Sequence, residues 1–156
     1  MKNPLRLLMH VPVPWVFVLS YFLGVSLEYT HLGIIRRETS LASAIAGGAL
    51  LTVGAVIAGW SLFLFRMART TTVPGESSLK LVTSGPYRFT RNPMYVGLVL
   101  AYLGEGELMK QIWPVLVLPL TVAYLNWIVI PVEEARLKET FPGEYERYRS
   151  RVGRWL

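Results

Sequence analysis

Residues 41–65 read LASAIAGGALLTVGAVIAGWSLFLF, 25 positions without an Asp, Glu, Lys or Arg. Wound as an α-helix, that run exceeds the roughly 20 apolar residues needed to cross the hydrocarbon core of a bilayer. It predicts a membrane-spanning helix. Ala46-Gly47-Gly48 and Gly54 with Ala58 leave a smooth strip on which a second helix can approach the backbone closely. The strip predicts helix packing within a bundle and leaves a dimer contact open.

Outward from this run the chain stays oily, with 53% hydrophobic residues among 156 and a mean hydropathy of +0.40. Its length fits one domain. A first apolar segment covers Val11 to Leu32, interrupted by Glu28. A third begins at Pro93 with Asn92 as its cap and runs to Leu103; reaching Met109 adds Glu105 and Glu107 near the far interface. The fourth, Ile112 to Val132, carries Pro114, Pro119 and Pro131, which predicts a kinked helix whose freed carbonyls find other donors. The expected fold class is all-α: a polytopic membrane bundle of about four transmembrane helices, forming one domain over 1–156. Residues 1–66 hold two spans, 67–92 a cytoplasmic loop, 93–132 a helical hairpin, and 133–156 short helices of a cytoplasmic tail.

Charge fixes an orientation, because cytoplasmic loops collect Lys and Arg. Lys2, Arg6, Arg66, Arg69, Lys80, Arg88, Arg91, Arg136, Lys138, Arg147, Arg149, Arg151 and Arg154 fall on one side, and only Arg36, Arg37 and Lys110 on the other. Both ends of the chain and the long middle loop are therefore expected in the cytoplasm. The net charge of +6 follows from topology; its dispersal predicts no nucleic-acid face. Lys2 and Arg6 ahead of an apolar stretch, with Gly24-Val25-Ser26, also match a secretory signal, but the later spans favour a retained anchor. With no cysteine, thiolate chemistry is excluded. His10 and His31 stand apart without an acidic cluster, so no metal site is expected.

Polar chemistry gathers at two places. Leu81-Val82-Thr83-Ser84-Gly85-Pro86-Tyr87-Arg88-Phe89-Thr90-Arg91-Asn92-Pro93-Met94-Tyr95-Val96-Gly97 alternates aromatic and guanidinium groups at a membrane surface. Interfacial anchoring needs only these residue types. Behind the fourth segment come Glu133-Glu134-Ala135-Arg136-Leu137 and Phe141-Pro142-Gly143-Glu144-Tyr145-Glu146-Arg147-Tyr148. Pairs of Glu133 with Arg136 and Glu134 with Lys138 would explain a wet helix face. An inward carboxylate would instead bind a cationic ligand or ribose hydroxyls. Both clusters lie on the same side, so a shared pocket is geometrically reasonable.

Together these pieces resemble the isoprenylcysteine carboxyl methyltransferases and the related phospholipid N-methyltransferases: L-V-T-x-G-x-Y, R-x-P-x-Y-x-G, E-E-x-x-L and F-x-x-E-Y-x-x-Y, in order from about Leu79 to Trp155. The resemblance, to the small prokaryotic form, implies an inner-membrane enzyme that binds S-adenosylmethionine at the cytoplasmic face and takes a lipid or lipophilic acceptor from the bilayer. By motif position Leu81, Val82, Tyr87, Asn92, Pro93, Met94, Tyr95 and Glu133 would hold the cofactor. Arg91 would orient acceptor or cofactor carboxylate, and Glu134 would assist as a proton acceptor. Tyr145 and Tyr148 match the tail motif.

The chain departs from the pattern twice. Asn92 stands where many relatives have histidine, and an amide does not titrate near neutrality. Val129 stands where the carboxyl methyltransferases tend to carry an arginine, which weakens a carboxylate acceptor and favours a neutral or amine-bearing lipid. Two rival readings are an NADPH-dependent membrane reductase of the same superfamily and a non-enzymatic membrane binding or scaffold protein.

Overall fold

The computed structural model describes residues 12–30, 38, 40–68 and 80–156. His10, His31, Lys2, Arg6, Arg36, Arg37, Arg69 and the linker-like stretch 70–78 lie outside the described residues. The described elements are all helical: α1 (Val13–Glu28), α2 (Leu41–Met67), a 3-10 turn (Gly85–Arg88), α3 (Pro93–Leu108), α4 (Trp113–Tyr124), a π-segment (Leu125–Val129), α5 (Ile130–Thr140) and α6 (Pro142–Arg149). From α4 to α5 the helix is one rod, Trp113–Thr140.

Two of these helices, Leu41–Met67 and Trp113–Thr140, are long and apolar enough to cross a membrane. Helices α1 and α3 have 16 residues each, about 24 Å of rise, which is short of a hydrocarbon core of about 30 Å. Only 11% of the most apolar stretch of α2 is buried within the protein, and Ile45, Val56 and Phe63 stand exposed along it. A soluble core helix would hide such a face; lipid solvates it at no cost.

The smooth strip of α2 is filled from within the chain, by α3. A Cβ at Gly54 would sit 2.4 Å from the Ala101 nitrogen and 2.5 Å from the Gly97 oxygen, and one at Gly104 would sit 2.4 Å from the Leu51 nitrogen. The two backbones touch where only hydrogen fits, and the pairing of Gly47 with Gly104 and of Ala58 with Gly97 makes the helices antiparallel. Gly48 meets nothing within 4 Å. Helix α1 runs antiparallel to α4 in the same fashion: Gly24 lies against Pro114, and buried Glu28 accepts from the Trp113 backbone N–H at 3.1 Å, a carboxylate at a helix start.

Helices α3 and α4 are joined by a short turn in which the Gln111 N–H reaches the Gly106 oxygen at 2.9 Å, and the Tyr102 hydroxyl donates to the Pro114 oxygen at 3.0 Å. The prolines of the fourth segment predict a kink; the structure has one continuous helix, Trp113–Thr140, with the π-segment inside it. There the Ile130 N–H donates to Leu125, five residues back. In that register the N–H due to reach the Asn126 oxygen belongs to residue 131, and Pro131 has none. The rod also continues past Val132, so Glu133 and Glu134 lie on α5 itself.

Candidate functional site

The site forms at the end of the bundle where α2 stops, α3 starts and α5 emerges. Gly85, with φ +59, turns the chain as only a residue without Cβ does readily. Buried Tyr87 then stacks on Phe65 of α2, with ring centroids 5.3 Å apart, and its backbone oxygen accepts from the Tyr148 hydroxyl at 2.8 Å. Burial, foremost, pushes the Tyr87 phenol above its ordinary pKa. Pro93 sits in the first turn of α3, where its missing N–H costs nothing, and the helix start is fixed by what its neighbours bind.

The two sequence clusters meet here. The Tyr95 hydroxyl donates to Glu133 Oε1 at 2.6 Å. Arg91 Nη2 pairs with Glu134 at 3.1 Å, with side-chain exposures of 10% and 16%, and Arg91 Nη1 donates to the Tyr145 hydroxyl at 3.3 Å. The remaining guanidinium donor, Arg91 Nε, is buried without a partner. An unspent N–H on a nine-tenths-buried cation is a ready contact for an anion, since burial without a bond is costly.

Other expected site residues take different places. Asn92 gives its amide N–H to the Arg154 backbone oxygen at 2.8 Å. Met94 is packed into the apolar core with Leu125, Val129 and Ile130. Leu81 and Val82 are half-buried on the approach to the turn. Glu134 holds two cations, because Arg154 Nη2 meets its Oε2 at 2.6 Å and Arg154 Nε its Oε1 at 3.1 Å. This bidentate pairing is the strong form of the interaction. The structure does not join Glu134 to Lys138, whose ammonium meets exposed Glu146 at 3.0 Å.

Sequence reasoning missed Arg154, Asn126 and Trp155 as parts of this site. Arg154 Nη1 donates to both the backbone oxygen and Oδ1 of Asn126 at 3.3 Å, and Trp155 Nε1 donates to Asn126 Oδ1 at 3.0 Å. Asn126 could have been found: it is the one amide side chain in the apolar run Ile112 to Val132, where a polar group is expensive unless used. Arg154 carries no such mark, since it lies 62 residues from Asn92 among other basic residues.

A family model for phospholipid methyltransferase matches residues 42–144, well over half the chain and spanning α2, the 3-10 turn, α3, the rod and the start of α6. The chain belongs to the phospholipid methyltransferase family. It is also similar to the cobalt-zinc-cadmium resistance protein CzcN of Cupriavidus metallidurans, 37% identical over 80 residues that cover 51% of this chain and 37% of the relative. The nickel-cobalt-cadmium resistance protein NccN of Alcaligenes xylosoxydans xylosoxydans is 33% identical over 104 residues, covering 67% of this chain and 48% of the relative. The matched region thus spans less than half the length of either. No solved structure matches. Among the described residues, no group of three or more His, Cys, Asp or Glu is placed to hold a metal ion.

Proposed function

We propose that this family member transfers a methyl group from S-adenosylmethionine to a lipid or other membrane-dissolved acceptor at the cytoplasmic face. The observation that carries the reading is the joining of loop and acids: Tyr95 to Glu133 at 2.6 Å and Arg91 to Glu134 at 3.1 Å. The donor set suits the cofactor. A carboxylate, Glu133, is available to ribose hydroxyls, the orphaned Arg91 Nε to a carboxylate, and half-buried Leu81 and Val82 to an adenine face. When bound, S-adenosylmethionine supplies an activated methyl group, so the protein needs no nucleophile of its own.

The residues align and enclose. Glu134, held by two guanidiniums, fixes Arg91 in place, and the proton-accepting role expected of it requires that it first release one of them. Val129 is buried in the core, so no cation stands at that position to receive an acceptor carboxylate, which supports a neutral or amine-bearing acceptor. An amine must lose a proton before or during attack. The metals named in the two relatives belong to those proteins. Four crossings place the site, the residues near Met1 and those near Leu156 in the cytoplasm; the charge asymmetry supports this, with α1 and α3 crossing where neighbours or a thinned bilayer shorten the path.

The test is binding of labelled S-adenosylmethionine by the purified protein, abolished by Glu133→Gln with helicity unchanged. Undiminished binding in that variant removes Glu133 from the scheme. Thermal stabilisation by S-adenosylhomocysteine and not by NADPH separates a methyltransferase from a reductase.

A further inference from the structure

Three consecutive residues after α6 bind the candidate site at several points. The Gly153 oxygen accepts from the Arg91 N–H at 2.9 Å. The Arg154 oxygen accepts from Thr90 Oγ1 at 3.1 Å and from Asn92 Nδ2 at 2.8 Å. The Arg154 guanidinium spans Glu134 and Asn126, and the Trp155 indole also ends on Asn126. One strand of backbone therefore fixes the loop, while its side chains fix the rod.

The anchor on the rod exists because of Pro131. The π-register and the missing proline N–H leave the Asn126 oxygen without its helical donor, and the π-segment turns that carbonyl and its side-chain amide toward residues 154 and 155. Short π-segments often mark functional sites. Here the local defect makes the acceptor that Arg154 uses, and Arg154 in turn fixes Glu134 and, through it, Arg91.

We infer that Arg154 is a positioning residue of the candidate cofactor site: it docks the segment 153–155 as a wall of that site and holds Glu134, so that Arg91 presents its free Nε–H inward. Asn92 then has a role without acid-base chemistry, since its amide fastens this wall by donating to the Arg154 oxygen. The inference rests on the methyl-transfer reading only for the identity of the ligand.

Two readouts on the purified full chain keep the two ideas apart. The first is hydrogen exchange across residues 88–92 without ligand; the second is affinity for labelled S-adenosylmethionine. Arg154→Ala is expected to speed exchange at the Arg91 amide by about tenfold or more, the loss of a charge-linked set of bonds, and to weaken binding by a similar factor. Arg154→Lys should recover part of both, because an ammonium lacks the fork that spans Glu134 and Asn126. Unchanged exchange in Arg154→Ala overturns the inference, and so does faster exchange with undiminished affinity. Should Arg154→Ala not fold, Arg154→Lys carries the test, and wild-type values in both readouts overturn it. Wild-type protein that binds no S-adenosylmethionine defeats the methyl-transfer reading, while accelerated exchange still supports the docking role.

Discussion

The Tyr95 hydroxyl and Glu133 Oε1 lie 2.6 Å apart, one in the first turn of α3 and the other in the first turn of α5. The bond ties the loop to the acids through one carboxylate oxygen of Glu133. Tyr95→Phe keeps the ring in the core and deletes the donor. It should cost about 1–3 kcal/mol of stability, the penalty for an unpaired buried acceptor, and about tenfold or more in affinity for S-adenosylhomocysteine. Thermal melts and ligand titration in detergent check it. Wild-type affinity in a folded Tyr95→Phe protein would mean that Glu133 needs no help from Tyr95.

Contact between α2 and α3 gives a sharper prediction, because two glycines six positions apart on one helix, Gly48 and Gly54, should answer oppositely. A methyl at Gly54 meets backbone at 2.4 Å, whereas one at Gly48 meets nothing within 4 Å. Gly54→Ala should destabilise by about 1–3 kcal/mol, since backbone must shift. Gly48→Ala should be neutral or stabilising by about 0.5–1 kcal/mol through helix propensity. Comparing the two melting temperatures tests the packing directly. Equal shifts would place α3 elsewhere.

Much of this was legible in residue patterns, for stated reasons. The charge-free run 41–65 predicts a helix because only a helix satisfies its backbone in lipid, and the Gly54 and Ala58 strip predicts a close neighbour; that the neighbour is α3 emerges from the contacts of Gly97 and Gly104. The third helix was expected to stop at Leu103 or extend to Met109, and α3 ends at Leu108. The apolar run of the fourth segment ends at Val132, where Glu133 and Glu134 begin, but helical bonding continues to Thr140, as carboxylates with partners allow. The motifs predict only that the loop and the acids share one place; the pairs Tyr95 with Glu133 and Arg91 with Glu134 come from the fold. Arg154 was illegible, because contacts across 20 to 64 residues leave no spacing signal and the π-segment that receives it depends on backbone register.

The orientation is open to labelling, since the chain has no cysteine of its own. Tyr29 and Met109 are exposed at the end of the bundle opposite the candidate site, and Glu144 and Arg151 are exposed at the end that holds it. Tyr29→Cys and Met109→Cys should react with an impermeant maleimide added to intact cells. Glu144→Cys and Arg151→Cys should react only after the cells are opened. Labelling of all four in intact cells, or the reverse pattern, would contradict the charge-based topology.

Alkaline pH should loosen the site. The Tyr148 hydroxyl donates to the Tyr87 oxygen at 2.8 Å, and burial, foremost, holds the phenols of Tyr87, Tyr145 and Tyr148 above their ordinary pKa. An acid whose pKa is raised by folding binds its proton more tightly in the native state. Its contribution is therefore whole below the unfolded value of about 10 and drains as pH rises through the folded value. Stability should be level from neutrality to about pH 9.5 and fall above about pH 10, by up to about 1.4 kcal/mol per pH unit for each such phenol. Tyr148→Phe should start less stable at neutral pH, having lost its bond to the loop, and should then decline less steeply. Melting temperature followed from neutral to strongly alkaline pH in both proteins decides it: parallel declines would show that Tyr148 releases its proton as readily folded as unfolded.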